Sequence, residues 1–478
     1  MFVVRRDAMP TAKSPLPPDF AFDEAAIAAA AERLRAAGVA DALGVWTDVH
    51  GHPKAKVTPI SCFEKLCRGA ELYTVGAVEG LGLAGPHEDE CAAVPDPATA
   101  VVCPWDKKKA WMHADLWHHG APFAGDPRGI LKRALDRAAS MGLTFHLGIE
   151  PEFYVLREDA ETGRLVPITS TRFEGPNACY DLRATVESDP FLAPMARHLE
   201  DLGWGLYSYD QECGRGQHEF DFGHADALTS ADRLVFFRFL ASEVARSIGA
   251  VAVFEPKPFA DDFRSGAHFN MSLVDGNGVN LFDREARGTG DLAATHGLPL
   301  PDAAYHFTAG LLKHAAAITA VGCPAYNSYQ GLIAQGALSD FSWAPVIQAY
   351  GDNNRSAMVR APLNRPCIEN RAVDVSVNPH LAAALMLHAG LDGIEQGLDP
   401  GSPFNTDLYR FDKQELRARG VHTLPPTLLH AIDAFEADPI SELAFGSYKQ
   451  TFLAFGHKRW ERAFFAVDPP RAPAPAAG

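Results

Sequence analysis

The stretch from Leu143 to Leu156 constrains this chain more than any other. Its odd positions Leu143, Phe145, Leu147, Ile149, Phe153 and Val155 are apolar, with Pro151 among them. Its even positions include His146, Glu150, Glu152 and Tyr154. A period of two belongs to a β-strand with one face on a core. The same period sets Glu150 and Glu152 side by side on the polar face. Alone, that pair reads as a solvated sheet face, but three further segments repeat the arrangement. Ala267, Phe269, Met271 and Leu273 alternate with His268, Asn270 and Ser272, and Asp275-Gly276-Asn277-Gly278 then supplies a hairpin turn. Gln217, Glu219 and Asp221 alternate with Phe220 and Phe222, with Glu212 across a glycine-bearing turn. Ile368-Glu369-Asn370-Arg371 sets Glu369 and Arg371 on one face.

Five carboxylates (Glu150, Glu152, Glu212, Glu219, Glu369) and the His268 imidazole on the polar faces of such strands would repel one another if bare. Divalent cations remove that cost, and hard oxygen ligands suit Mg²⁺ or Mn²⁺. Two metals would neutralise phosphates in a phosphoryl transfer. Arg355, Arg360 and Arg371 are close by in sequence, and guanidinium forks suit phosphate and carboxylate oxygens. No GxxxxGK[ST] loop occurs, so nucleotide binding of the P-loop kind is excluded. Spacing alone leads to a metal- and phosphate-handling site and no further.

The rest of the sequence narrows the class. A chain of 478 residues with a net charge of −17 does not suit a nucleic-acid or anionic-membrane partner, since its longest basic run is Lys107-Lys108-Lys109. No run of apolar residues is long enough to span a membrane, and no apolar signal core follows Met1 to Met9. The eight cysteines form no CxxC pair. Both facts predict a reduced, cytoplasmic chain. An irregular arm is expected over 1–19, a small α+β unit over 20–118, a boundary near 120–127, a larger unit over 127–467 and a disordered Pro/Ala-rich tail over 468–478. The first unit is expected to hold a helix from Asp23 to Ala37, a hairpin from Gly44 to Ile60 and two short strands between Ala92 and Leu116. The larger unit is expected to be an antiparallel sheet covered on one face by helices, including Arg128 to Met141, Ser230 to Gly249, and one capped by Asn378-Pro379 that stops at Gly390. The fold class is therefore α+β.

Taken together, Gly148-Ile149-Glu150-Pro151-Glu152-Phe153, Glu212 with Gln217-His218-Glu219, Lys257-Pro258 with Ser265-Gly266-Ala267-His268, Tyr326-Asn327-Ser328-Tyr329, Asn354-Arg355-Ser356, and Asn378-Pro379 with Gly390-Leu391-Asp392-Gly393-Ile394 resemble the glutamine synthetase family. Pro95-Asp96-Pro97-Ala98-Thr99-Ala100 resembles its N-terminal domain. The resemblance runs from about residue 40 to 460 and implies a β-grasp-like N-terminal domain before a catalytic domain with a curved antiparallel sheet. It implies two or more Mg²⁺ or Mn²⁺ per site, one held by Glu152, Glu212 and Glu219 and another by Glu150, His268 and Glu369. Arg355 would grip ATP phosphates, with Arg360, Asn270 and Ser272 also at ATP. Arg371 would meet the γ-carboxylate of glutamate as it becomes an acyl phosphate, and Gly266 would approach the amino acid. The family's sites lie between subunits of stacked rings, which implies a homo-oligomer such as a dodecamer.

Four departures qualify the resemblance. The flap glutamate that precedes an Ala-Pro pair in the family is Trp343 here, before Ala344-Pro345, with Phe341 nearby. The family's Asp-Gly-Ser-Ser stretch aligns loosely with Glu79-Gly80-Leu81-Gly82, which leaves Glu79 as a candidate base. The usual His-x-His is His268-Phe269-Asn270. The usual Asn-Ser-Tyr-Lys-Arg is Asn327-Ser328-Tyr329-Gln330-Gly331, so the arginine that clamps the substrate α-carboxylate is missing, and Arg264 is its candidate substitute. A flap tryptophan is similar to the γ-glutamylamide synthetases. The expectation is thus an ATP-dependent ligase that joins glutamate to an organic amine, with a hydrophobic amine such as aniline favoured and methylamine an option. Ordinary glutamine synthesis from ammonia, a ligase for another acid and a non-catalytic relative are the alternatives.

Overall fold

The computed structural model describes residues 14–80, 82, 85, 87–169, 179–332 and 344–466. The expected tail over 468–478, most of the arm over 1–19, and Phe341, Trp343, Leu81 and Leu83 lie outside those residues. Helix α1 (Glu24–Ala36) begins where the Asp23 side chain accepts from the Ala26 amide, and it ends before Gly38, whose φ is +75°. Among the described residues the first sheet has seven strands: β1 (Asp41–Thr47), β2 (Pro53–Pro59), β3 (Glu71–Tyr73), β4 (Cys91–Pro95), β5 (Val101–Val102), β6 (Lys109–His118) and β7 (Ala121–Pro122). β1 and β2 form the expected hairpin, and β1 also pairs in parallel with β6. Between Ala92 and Leu116 the chain forms three strands and not two. Asp96 caps a single turn at Pro97–Thr99, and this turn separates β4 from β5.

Helix α2 (Pro127–Ser140) leads into β8 (Leu143–Glu158), the axis of a sheet with eleven strands among the described residues. Short β9 (Leu165–Pro167) pairs with β8; then come helix α3 (Asp189–Asp201), β10 (Leu206–Gln211), β11 (Gln217–Phe222), β12 (Ala225–Asp226), helix α4 (Ala227–Ser247), β13 (Val251–Val253) and β14 (Ala267–Asp275). After helix α5 (Asp302–Lys313) the sheet is completed by β15 (Ile347–Gly351), β16 (Ala357–Arg360), β17 (Ile368–Asn370) and β18 (His422–Thr423). The main path is β10-β11-β8-β14-β17-β16-β15-β18. It is antiparallel except for β15 and β16, which run parallel; their link is pinned where Asn354 donates to the carbonyls of Phe404 and Thr406.

The alternation along β8 and β14 sets the layering. Phe145, Leu147, Ile149 and Phe153 are buried, as are Ala267, Phe269, Met271 and Leu273. They share one core with Phe191 of α3 and Phe237 of α4. The first sheet joins this core through Trp111 of β6, whose ring meets Phe236 of α4 edge-on at 5.3 Å between centroids. Arg128 of α2 binds Asp115 of β6 and Asp232 of α4 together and so ties the first sheet to the helices of the second unit.

Gly390 does not stop the helix that begins at Asn378-Pro379. That helix, α6 (Pro379–Gln396), continues to Gly397, which takes a left-handed φ of +58°. The glycines inside it serve close approach to α5. A Cβ on Gly390 would meet a Phe307 ring carbon at 2.0 Å, and one on Gly393 would meet the His306 carbonyl oxygen at 2.0 Å. Helix interiors tolerate glycine where backbones must touch, at a cost of roughly 1 kcal/mol in propensity.

Candidate active site

Strand register builds the site. Glu219 of β11 faces Glu152 of β8, His268 of β14 faces Glu150 of β8, and both Asn270 of β14 and Arg360 of β16 face Glu369 of β17. Directly opposed residues on one face lie close enough for their side chains to meet. One cleft is therefore lined by Glu150, Glu152, Glu212, Glu219, His268 and Glu369, together with Gly266, Arg264, Arg355, Arg360 and Arg371. The ligand atoms of Glu150, His268 and Glu369 lie within 4.8 Å of one another, and so do those of Glu152, Glu219 and His268.

Glu212 has further close neighbours in the cleft. Its carboxylate accepts from the Cys213 amide at 2.9 Å and lies 3.5 Å from the Cys179 sulfur, so it groups tightly with those cysteines while lining the same cleft as Glu152 and Glu219. Asp221, in turn, joins Glu150 and Glu219 within 4.8 Å. Its alternation with Phe220 and Phe222 was a sufficient signal for it. Gly266 donates its amide to Glu152 at 2.7 Å, and a Cβ there would press on the His268 ring at 2.9 Å, so a side chain at this position would displace that ring. Asn270 donates to Glu150 at 3.0 Å, which gives the replaced second histidine a structural counterpart.

The cleft is electrically divided. At one end, burial and the charges of Glu152 and Glu150 push Glu219 well above its ordinary value, and burial with the Glu152 charge raises Glu212. Burial and the Glu150 charge push Asp221 up to about 7. Burial also acts upward on Glu150, but its hydrogen bond to His268 and the charges of His268, Arg365 and Arg371 outweigh that and hold it at about 2. At the other end, fully buried Glu369 accepts from Arg360 and Arg365 at 3.0 Å and from Arg371 at 3.2 Å. Burial and the charges of Arg360 and Arg371 draw Arg355 below its ordinary value. Several guanidiniums on one carboxylate leave positive charge to spare, and the Nε atoms of Arg264, Arg360, Arg365 and Arg371 are buried without hydrogen-bond partners. Cations suit the first end and phosphate or carboxylate oxygens the second. Hard carboxylate oxygens and one imidazole, crowded enough to raise the proton affinity of several carboxylates, fit a divalent ion such as Mg²⁺ or Mn²⁺.

Other expected residues lie elsewhere. Ser272 of β14 faces His146 of β8 and does not line the cleft. Glu79 pairs with Arg462 at 3.1 Å and His50 at 3.4 Å, away from the cleft of its own chain. Trp343 and Phe341 lie outside the described residues, although Pro345, which follows Trp343 and Ala344, lines the cleft. Arg365, Cys179, Tyr180 and Cys213 also belong to the site or its wall, and sequence reasoning missed them. Arg365 sits in a loop without periodicity, so nothing in the sequence marks it.

The family of the glutamine synthetase catalytic domain matches residues 124–471. Glutamate–methylamine ligase of Methyloversatilis universalis is 36% identical over 419 residues, 87% of this chain and 92% of that protein. Glutamine synthetase of Staphylococcus epidermidis is 36% identical over 411 residues, 84% of this chain and 87% of that protein. The solved structure of GmaS in complex with ADP superposes with a TM-score of 0.82 at 32% identity, covering 92% of this chain and 97% of that one. Among the described residues no helix is long and apolar enough to cross a membrane.

Proposed function

Because the chain belongs to the glutamine synthetase family and is an ATP-dependent ligase, we propose that it joins the γ-carboxylate of glutamate to an organic amine in preference to ammonia. The observation that carries this reading is the divided cleft, in which acidic strand residues face an arginine cluster, in a chain 36% identical to a glutamate–methylamine ligase. A glutamine synthetase is equally identical, so identity does not choose the amine. The choice rests on Trp343, which replaces the family's flap carboxylate before Ala344-Pro345. Without that carboxylate the pocket loses its counter-charge for ammonium.

In the proposed reaction the γ-phosphoryl group of ATP moves to the substrate carboxylate and ADP leaves. The amine then attacks the acyl carbon, the bond to the phosphate oxygen breaks, and the amine gives up one proton. Glu150, His268 and Glu369 would hold one Mg²⁺ or Mn²⁺, and Glu152 and Glu219, with Glu212 close by, another. Such ions supply charge neutralisation at phosphate oxygens when bound. Arg355 and Arg360 face the transferred phosphate, and Arg371 faces the carboxylate that receives it. Arg264 takes the α-carboxylate. In support, a Cβ on Gly331 would meet the Arg264 Cβ at 2.8 Å, so the glycine that replaces the family's arginine makes room for this one. Water must be excluded, since an acyl phosphate hydrolyses.

Methylamine is the reference amine, from the name of the relative. A more apolar amine such as aniline is favoured by a separate observation. An apolar cavity of about 330 Å³ is lined by Tyr329, Leu332, Val346, Ile347, Leu408 and Tyr409 among others. Its Val346 follows, in sequence, Pro345 of the cleft wall. A ring oligomer with composite sites is part of the proposal: Glu79 does not line its own chain's cleft, so to act as a base it must serve a neighbour's. The test is product analysis with glutamate, ATP and either methylamine or aniline. Formation of the matching N-substituted γ-glutamylamide with one ADP per amide supports the reading; ADP release without amide, or glutamine from ammonia alone, refutes it. Trp343→Glu is expected to shift preference toward ammonia.

A further inference from the structure

Cys179 and Cys213 are 34 positions apart in sequence, yet their sulfurs lie 2.8 Å from each other at the cleft wall. Both are half-buried thiols. A disulfide holds its sulfurs about 2.0 Å apart, so bond formation requires a shift of less than about 1 Å. The surroundings hold both thiols in place. The Tyr180 amide donates to the Gln211 carbonyl at 2.8 Å, which binds the Cys179 segment to the end of β10. The turn that carries Cys213 is fixed by Gly214 donating to the Gln217 side chain at 2.8 Å, and a Cβ on Gly214 would strike the Tyr154 hydroxyl at 2.1 Å. Both cysteines also contact Glu212: the Cys213 amide donates to its carboxylate at 2.9 Å and the Cys179 thiol lies 3.5 Å from the same oxygen.

We propose that Cys179 and Cys213 form a reversible thiol–disulfide site, and that its oxidation by a low-molecular-weight disulfide weakens divalent-metal binding at the cleft through Glu212. The exchange balances. One thiol attacks a sulfur of oxidised glutathione, that S–S bond breaks, and one glutathione leaves with a proton. The second thiol attacks the mixed disulfide, forms the Cys179–Cys213 bond and releases the second glutathione with the second proton. Two thiols are oxidised and one glutathione disulfide is reduced. The oxidised pair no longer has a thiol donor for Glu212 and fixes the adjoining turn. Groups that orient a metal ligand from outside typically change metal affinity about 10- to 100-fold.

The experiment uses the full-length protein equilibrated with oxidised or reduced glutathione, then stripped of both. Peptide mass spectrometry tests for the Cys179–Cys213 crosslink, and Mn²⁺ titration followed by electron paramagnetic resonance tests the metal site. Neither readout depends on which amine is used, so failure here is distinct from failure of the ligase reading. The expected result is a crosslinked peptide in the oxidised sample, a Kd for Mn²⁺ raised about tenfold or more, and reversal by dithiothreitol. C179S and C213S are each expected to abolish the response of the Mn²⁺ Kd to oxidised glutathione. Only glutathione adducts without the crosslink, or a crosslink that leaves Mn²⁺ affinity unchanged, would overturn the proposal.

Discussion

Arg365 donates to Glu150 across 3.0 Å, and its second terminal nitrogen reaches Glu369 at the same distance. A cationic side chain therefore bridges two carboxylates that belong to one candidate metal group. It shields them from each other, and a divalent ion would compete with it. Arg365→Gln is expected to lower Tm in EDTA and to enlarge the Tm rise produced by Mn²⁺, as seen by differential scanning fluorimetry. An unchanged rise on Mn²⁺ addition would mean that the guanidinium and the ion do not share these carboxylates.

Glu152 accepts the Gly266 amide and faces Glu219 across the register. Glu152→Ala is expected to lower kcat at least about 100-fold, because metal-assisted charge stabilisation is worth several kcal/mol and each 1.36 kcal/mol is about tenfold. The fold should persist, since the side chain lines a cleft. Steady-state kinetics beside circular dichroism separates the two effects.

The raised carboxylates set a pH dependence. Asp221 sits at about 7 in the folded chain, above its ordinary carboxylate value. From about pH 4 to about pH 7 the unfolded chain has lost a proton that the folded chain retains, so this group makes stability fall as pH rises, levelling off above about 7. A bound cation stabilises the ionised form and removes the slope. Between about pH 5 and about pH 7 the Tm in EDTA is expected to fall relative to the Tm with Mn²⁺, and Asp221→Asn should narrow that gap. A gap that shrinks as pH rises contradicts the assignment.

Gly393 faces the His306 carbonyl where α5 and α6 touch, and a Cβ there would come within 2.0 Å of that oxygen. Backbone cannot yield as a side chain would. Gly393→Ala is expected to destabilise by about 1–3 kcal/mol through overpacking, measured by urea denaturation. A loss near zero would show that the helices move apart freely.

Much of the site was legible because strand alternation is a local signal. Glu150 and Glu152 on β8, Glu219 on β11, and His268 on β14 all stand on the faces that their spacing dictates. The union of four strands into one cleft was not local; it came from motif order, which fixes partners that periodicity cannot. The failures have physical causes. Gly390 reads as a helix stop because glycine usually ends helices, but here interhelical contact at Phe307 overrides propensity. The pairing of Glu212 with Cys213 depends on a backbone amide in a turn, which leaves no pattern in the sequence. Arg365 reaches Glu150 over 215 positions, and only the folded sheet brings them together.

The central claim is tested most directly by kcat/KM for methylamine and for ammonia, measured on the unmodified enzyme with saturating glutamate and ATP. The account predicts that methylamine exceeds ammonia by at least about tenfold, a transition-state preference of about 1.4 kcal/mol. Ammonia used as efficiently as methylamine, or better, would contradict it and return the chain to ordinary glutamine synthesis.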